Sequence, residues 1–231
     1  MPFFDIYFNI GSPPCRAVLI TAKLLGLGEC LRFHYVDLLA NESLKPEFKK
    51  ANPIHTIPLL YDGKFKIWES RAIMAYLCDK YGGGNNPLYP RDPQKRAQVD
   101  MALYFDIERL ALSFTSYLSL QLKLIRHMEL APDALEKVEI SLEQFEGIIG
   151  NKTFVAGERV TIADISIRIV MHELELVQYD FSKYPNINAW MNRTPKPLLL
   201  TKHFKSSQNT SVCSLRYMYF RIERFKKATE E

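Results

Sequence analysis

The 231-residue chain is poor in cysteine, and its four, Cys15, Cys30, Cys78 and Cys213, are scattered without the paired spacing of a metal knuckle or a disulfide framework. No metal site is therefore expected, and a reduced, cytoplasmic protein is the simplest inference. Long apolar runs are also missing: nothing reaches the roughly eighteen residues of a membrane span. The N-terminus enters an apolar segment at once, without a basic region followed by a long apolar core, so neither a secretory signal nor a membrane partner is expected. The formal net charge of +4 is local. Residues 196–231 carry eight Lys and Arg against three acids, so this tail contributes +5 and the first 195 residues sum to −1. Tyr217, Tyr219, Phe220 and Phe225 lie among those basic residues, but a terminal helix that docks its aromatics and solvates its charges gives the same composition. No nucleic-acid partner is expected.

What remains, 47% hydrophobic and 24% charged, is an ordinary globular composition, enough for one large domain or two modest ones. Phe4–Phe8 reads as a buried strand, and from Ser12 onward Val18, Leu19, Ala22 and Leu25 recur at helical spacing. Residues 31–36 alternate as a second strand. A polar stretch from Glu42 to Lys50 leads to Asn52-Pro53-Ile54-His55-Thr56-Ile57-Pro58, followed by strands at 59–61 and 65–68. The dipeptide Asp62-Gly63 between them suits a type I′ turn. A helix then begins at Glu69-Ser70-Arg71, with Ile73, Met74, Leu77 and Tyr81 on its apolar face. The predicted order is βαβαββα.

Gly82-Gly83-Gly84-Asn85-Asn86-Pro87 breaks this pattern, and Asp92-Pro93 starts another helix. Helical periodicity then predicts segments at 93–125, 134–149, 162–177 and 187–193. The division is residues 1–83 as an α/β domain, 84–91 as linker and 92–231 as an all-helical domain ending in the basic tail. Thr161-Ile162-Ala163-Asp164 has the spacing of a capping box and reads as a folding feature.

Ser12 stands at a helix start with Pro13 behind it, where a missing N–H costs nothing. Such a start offers an anion the Ser12 hydroxyl, the amides of Cys15 and Arg16 and the positive end of the helix dipole. Ser12-Pro13-Pro14-Cys15 also reads as a redox Cys-x-x-Cys whose first thiol is serine, so a thiolate suits the place. Capping alone accounts for the same residues.

Four separated motifs carry a family resemblance: Gly11-Ser12-Pro13-Pro14-Cys15-Arg16, Asn52-Pro53-x-His55-Thr56-Ile57-Pro58, Glu69-Ser70-Arg71-Ala72-Ile73 and Thr161-Ile162-Ala163-Asp164. With the βαβαββα order around them, the chain resembles the cytosolic glutathione transferases, a thioredoxin-like N-terminal domain joined to an all-α C-terminal domain. Leu44-Lys45-Pro46-Glu47-Phe48, Trp68-Glu69-Ser70-Arg71 and Phe181-Ser182-Lys183-Tyr184-Pro185 look most like the insect delta class, with epsilon as its neighbour. The likeness runs from about residue 3 to residue 195.

The resemblance implies a homodimeric detoxification enzyme that uses glutathione as co-substrate and conjugates it to small hydrophobic electrophiles. It makes Ser12 the catalytic residue, donating its hydroxyl to the glutathione sulfur. It assigns His55, Ile57, Pro58, Glu69, Ser70 and Arg71 to glutathione, with Pro58 as a cis-proline that exposes the Ile57 backbone. Glu69 would meet the γ-glutamyl ammonium, Ser70 and Arg71 the neighbouring carboxylate, and His55 the glycyl end. Ile10, Phe114 and Tyr117 are nominated for the electrophile. Ile54 and Ser43 depart from the delta pattern near the glycyl end, each removing a polar or basic group. Two other readings are a glutathione-dependent thiol reductase with Cys15 as nucleophile, and a non-catalytic carrier of hydrophobic ligands.

Overall fold

The computed structural model describes residues 3–38, 40–84, 86–115, 133–176 and 178–194. At its centre, β1 (Phe4–Phe8) pairs in parallel with β2 (Leu31–Tyr35) and antiparallel with β3 (Leu59–Asp62), and β4 (Phe65–Trp68) closes a sheet ordered β2-β1-β3-β4. A parallel neighbour requires a crossover, which α1 (Pro13–Leu24) supplies. The buried side chains of β1, Phe4 and Ile6, join a core with Val18, Leu19 and Ala22 of α1 and with Ile73, Met74 and Leu77 of α3 (Ser70–Tyr81). A short α2 (Pro46–Ala51) brings Phe48 to a second, smaller cluster with Cys15, Val36, Ile57 and Leu59.

Register decides what meets at the edge of the sheet. Phe8 lies opposite Tyr35, Tyr7 opposite Leu59, and Leu59 opposite Trp68. The chain leaving β1 at Asn9, entering β3 from Pro58 and leaving β4 at Glu69 is thus gathered at one end. The starts of α1 and α3 both lie there.

The hairpin differs by one residue from the sequence expectation. Asp62 pairs with Phe65, so the two-residue loop is Gly63-Lys64, and only Gly63 has a positive φ, +60°. That pattern is type II′, which places glycine first. Asp62 is thereby kept in the strand, and its carboxylate accepts from Tyr76 Oη at 2.5 Å, Lys80 Nζ at 2.6 Å and Tyr81 Oη at 2.6 Å. Partial burial acts upward on this carboxyl, but these bonds outweigh it and hold it below the usual range.

Past the linker, α4 (Pro93–Phe105) begins at Asp92, whose carboxylate accepts the Lys95 amide at 2.9 Å. It runs into a π-helical stretch, Asp106–Ala111, where continuous α-helix is expected from periodicity. The wider turn accompanies a buried carboxylate, Asp106, aimed into the protein. Then come α5 (Ala134–Ile149), α6 (Ile162–Leu176) and α7 (Pro185–Arg193). α6 is buried from Ile162 to Leu174 because α1, α3 and α4 all pack against it. Among the described residues no helix is long and apolar enough to cross a membrane. The basic tail, Tyr117 and Cys213 lie outside the described residues.

The Thr161–Asp164 pair works differently from a simple capping box. The Thr161 hydroxyl donates to the Asp164 carboxylate at 2.9 Å, and the same carboxylate accepts the Thr161 amide at 2.8 Å. Its other oxygen accepts the Val155 amide at 2.8 Å and Trp190 Nε1 at 2.9 Å, so one aspartate ties the start of α6 to a loop and to α7.

Candidate active site

Ser12 sits at the N-cap position of α1 with extended backbone, φ −82° and ψ 118°, and its carbonyl accepts the Arg16 amide at 3.2 Å. The Arg16 amide expected to serve an anion is therefore used within the helix. The Ser12 side chain makes no capping bond, so its hydroxyl is not committed to the helix backbone. It borders the Cys15 thiol instead. Complete burial pushes that thiol up to about 11, against the lowering effect of hydrogen bonds from the Ser12 side chain and the Asn9 backbone and of the Arg16 charge. A thiol at that value is almost wholly protonated near neutrality. Cys15 therefore lacks both the exposure and the thiolate that the reductase reading requires.

The Ile57–Pro58 peptide bond is cis, as the sequence suggests. Pro58 is buried, and Ile57 belongs to the cluster around Cys15. The preceding loop is shaped by Asn52, whose amide donates to the Thr56 carbonyl at 2.8 Å and accepts from the Ile54 amide at 3.2 Å. That turn holds His55 exposed with φ +47°. Ser43 is buried and Ile54 exposed.

Glu69 has φ +68°, a conformation that costs a non-glycine residue about 1–3 kcal/mol. Its carbonyl accepts the Ile73 amide at 2.9 Å, opening α3, while its carboxylate makes no capping bond and the residue is exposed. Ser70 is buried at the first turn. The strained residue thus presents an uncommitted carboxylate beside a helix N-terminus.

Arg71 points elsewhere. Its Nε and Nη2 bond Asp106 Oδ2 at 3.0 and 2.5 Å, and Ser166 Oγ donates to the same oxygen at 2.6 Å. Burial pushes the Asp106 carboxyl up, against the opposing pull of Arg71 and Ser166. A second ion pair joins Arg16 on α1 to Glu173 on α6, both buried. Sequence reading singles out neither Asp106 nor Glu173. Of the residues nominated for the electrophile, Ile10 and Phe114 are only 7% and 5% exposed and belong to the main core, so each offers little more than an edge. Among the described residues there is no group of three or more His, Cys, Asp or Glu side chains that could hold a metal ion.

The site therefore gathers a hydroxyl at one helix start, a backbone bent at a cis-proline and a carboxylate at a second helix start. Comparison with known proteins bears on the family and the fold. Residues 7–86 match the family model for the glutathione S-transferase N-terminal domain and residues 98–194 that for the C-terminal domain. Glutathione S-transferase D7 of Drosophila melanogaster is 40% identical over 196 residues, 85% of this chain and 86% of the relative. A delta-class glutathione transferase of Nilaparvata lugens superposes with a TM-score of 0.76 at 35% identity, covering 97% of this chain and 99% of that one. A glutathione transferase homologue of Drosophila mojavensis, solved with bound glutathione, gives 0.78 at 30% identity over 99% and 98% of the two chains.

Proposed function

The chain belongs to the glutathione S-transferase family, and from that premise we propose that it joins the glutathione thiolate to small hydrophobic electrophiles, with Ser12 stabilising the thiolate. The observation that carries this reading is the register that gathers Ser12, Ile57–Pro58 and Glu69–Ser70 at one end of the sheet, with two helix starts behind them. Glu69 pairs with the γ-glutamyl ammonium. Ser70 and the Arg71 amide receive the neighbouring carboxylate at the positive end of α3. The Arg71 guanidinium, engaged by Asp106, acts on that carboxylate at a distance and anchors α3. The Ile57 backbone pairs with the cysteinyl unit beside Pro58, and His55 approaches the glycyl end.

Energetics are compatible with a serine. A free thiol titrates near about 8.5, so lowering it by about two units takes about 2.7 kcal/mol of preferential thiolate stabilisation. One charge-assisted hydrogen bond contributes about 1.5–3 kcal/mol and a helix N-terminus about 0.3–1 kcal/mol. The thiol proton leaves to solvent, the sulfur attacks the electrophilic carbon, and the leaving group departs with its bonding electrons. Ile10, Phe114 and Tyr117 are the proposed apolar contacts of the electrophile, and the cytoplasm is the proposed location.

Turnover of glutathione with an activated aryl halide tests the reading. Glu69→Ala is expected to raise the glutathione KM about tenfold or more, because the peptide ammonium loses a charge-assisted partner. Selectivity among electrophiles should barely move. An unchanged glutathione titration would show that the peptide lies elsewhere.

The assembly proposed is a homodimer with α4 in the contact. Met101 and Tyr104 on α4 are 62% and 68% exposed, and Leu112 beyond it is also exposed, an apolar series that a lone subunit leaves in water. Sedimentation at micromolar concentration should give twice the chain mass, and an active monomer would contradict it.

A further inference from the structure

Asn9 is 8% exposed, and its side-chain amide is used on both sides. Oδ1 accepts the Gly11 amide at 2.9 Å, while Nδ2 donates to the Val36 carbonyl at 3.0 Å and to Tyr35 Oη at 3.1 Å. Its backbone carbonyl accepts the Ser12 amide at 3.0 Å, closing the turn that ends on Ser12. One residue therefore shapes the turn and fastens it to the end of β2. The next rung of the sheet, the Val36 amide donating to the Phe8 carbonyl at 2.9 Å, lies directly beneath.

Ser12 needs this support, because its hydroxyl has no capping bond to the helix backbone and only the neutral Cys15 thiol beside it, and the adjacent Gly11 is exposed and conformationally permissive. A hydrogen bond to a thiolate weakens steeply as its angle departs from linear. We propose that Asn9 is a positioning residue for the Ser12 hydroxyl, holding the 9–12 turn so that the hydroxyl meets the glutathione sulfur in the transferase reaction. The inference rests on the reading of Ser12 given above. Asn9 touches neither glutathione nor the electrophile in this role. It acts through the backbone of Gly11 and Ser12, and without it the same hydroxyl samples a broader range of directions.

The test is the pKa of the enzyme-bound glutathione thiol, read from ultraviolet thiolate absorbance against pH, together with kcat and KM and the melting temperature. Asn9→Ala, and Asn9→Leu, which keeps the volume should the smaller residue fold poorly, are expected to raise that pKa by about one unit. This leaves about tenfold less thiolate, and about tenfold lower kcat, on the acid limb. The glutathione KM should stay within about twofold, because the peptide contacts are intact. In a Ser12→Ala background the Asn9 substitutions should add no further shift. Folded Asn9 variants with an unmoved thiol pKa, or an equal shift in the Ser12→Ala background, would overturn the proposal. If Ser12→Ala itself left the thiol pKa unchanged, the role of Ser12 would fall and that of Asn9 with it. A shift with Ser12→Ala but none with the Asn9 variants would remove Asn9 alone.

Discussion

Ser12→Ala is expected to lower turnover at least about tenfold while glutathione still binds, since a hydrogen bond to a charged group contributes about 1.5–3 kcal/mol and this one favours thiolate over thiol. The direction with pH follows from the same imbalance. Losing the bond raises the thiol pKa, so the acid limb of the rate profile moves to higher pH and the loss is greatest there. Glutathione KM should change little, because the γ-glutamyl and backbone contacts lie on other elements. Cys15→Ala is the companion measurement: this thiol is buried and pushed up to about 11, so most activity should survive its removal. A dead Cys15 variant beside an active Ser12 variant would reverse the assignment.

The largest effect on stability is expected at Asp164. Replacing it by alanine strands three buried N–H donors, those of Val155, Thr161 and Trp190, and also removes the partner of the Thr161 hydroxyl. Each unsatisfied buried group costs about 1–3 kcal/mol, so three stranded donors put Asp164→Ala at about 3–9 kcal/mol. Asp164→Asn keeps one acceptor oxygen and should lose less. Denaturant unfolding of both variants measures this, and a loss below about 1 kcal/mol for the alanine variant would mean that water replaces the carboxylate. Because α6 packs against α1, activity should fail with unfolding and not before it.

Local signals in the sequence were sufficient wherever local chemistry decides the structure. Apolar periodicity places 134–149 on a helix with the observed ends, and Phe4–Phe8 and Phe65–Trp68 on the observed strands. The hairpin shows the limit of such signals. Asp-Gly marks the turn, but whether aspartate sits in the loop or the strand depends on Tyr76, Lys80 and Tyr81 in a helix not yet formed when the dipeptide is read. The π-helical stretch is invisible for a like reason, since Asp106 has an ordinary helical position until Arg71, 35 residues earlier, comes to meet it. Arg16 and Glu173 are 157 residues apart. In the candidate site, Ser12, Pro58 and Glu69 stand out because helix starts and X-Pro bonds have sequence marks. Asn9 does not, because an asparagine after a strand reads as any loop residue until Val36 and Tyr35 lie beside it.

Two of the ion pairs between the domains have a bearing on inheritance. α1 and α3, whose starts are proposed above to meet the sulfur and the γ-glutamyl group, are each fastened to a buried carboxylate of the helical domain, Arg16 to Glu173 and Arg71 to Asp106. On the function proposed above, a lineage would vary side chains of the helical domain to take up new electrophiles, yet breaking either pair leaves a buried charge alone, at about 3–5 kcal/mol. Descendants of this chain are thus at liberty to remodel most of that domain, but Asp106 and Glu173 answer to the peptide half of the molecule. At those two positions, adaptation to a new poison and retention of an old co-substrate compete for the same residue.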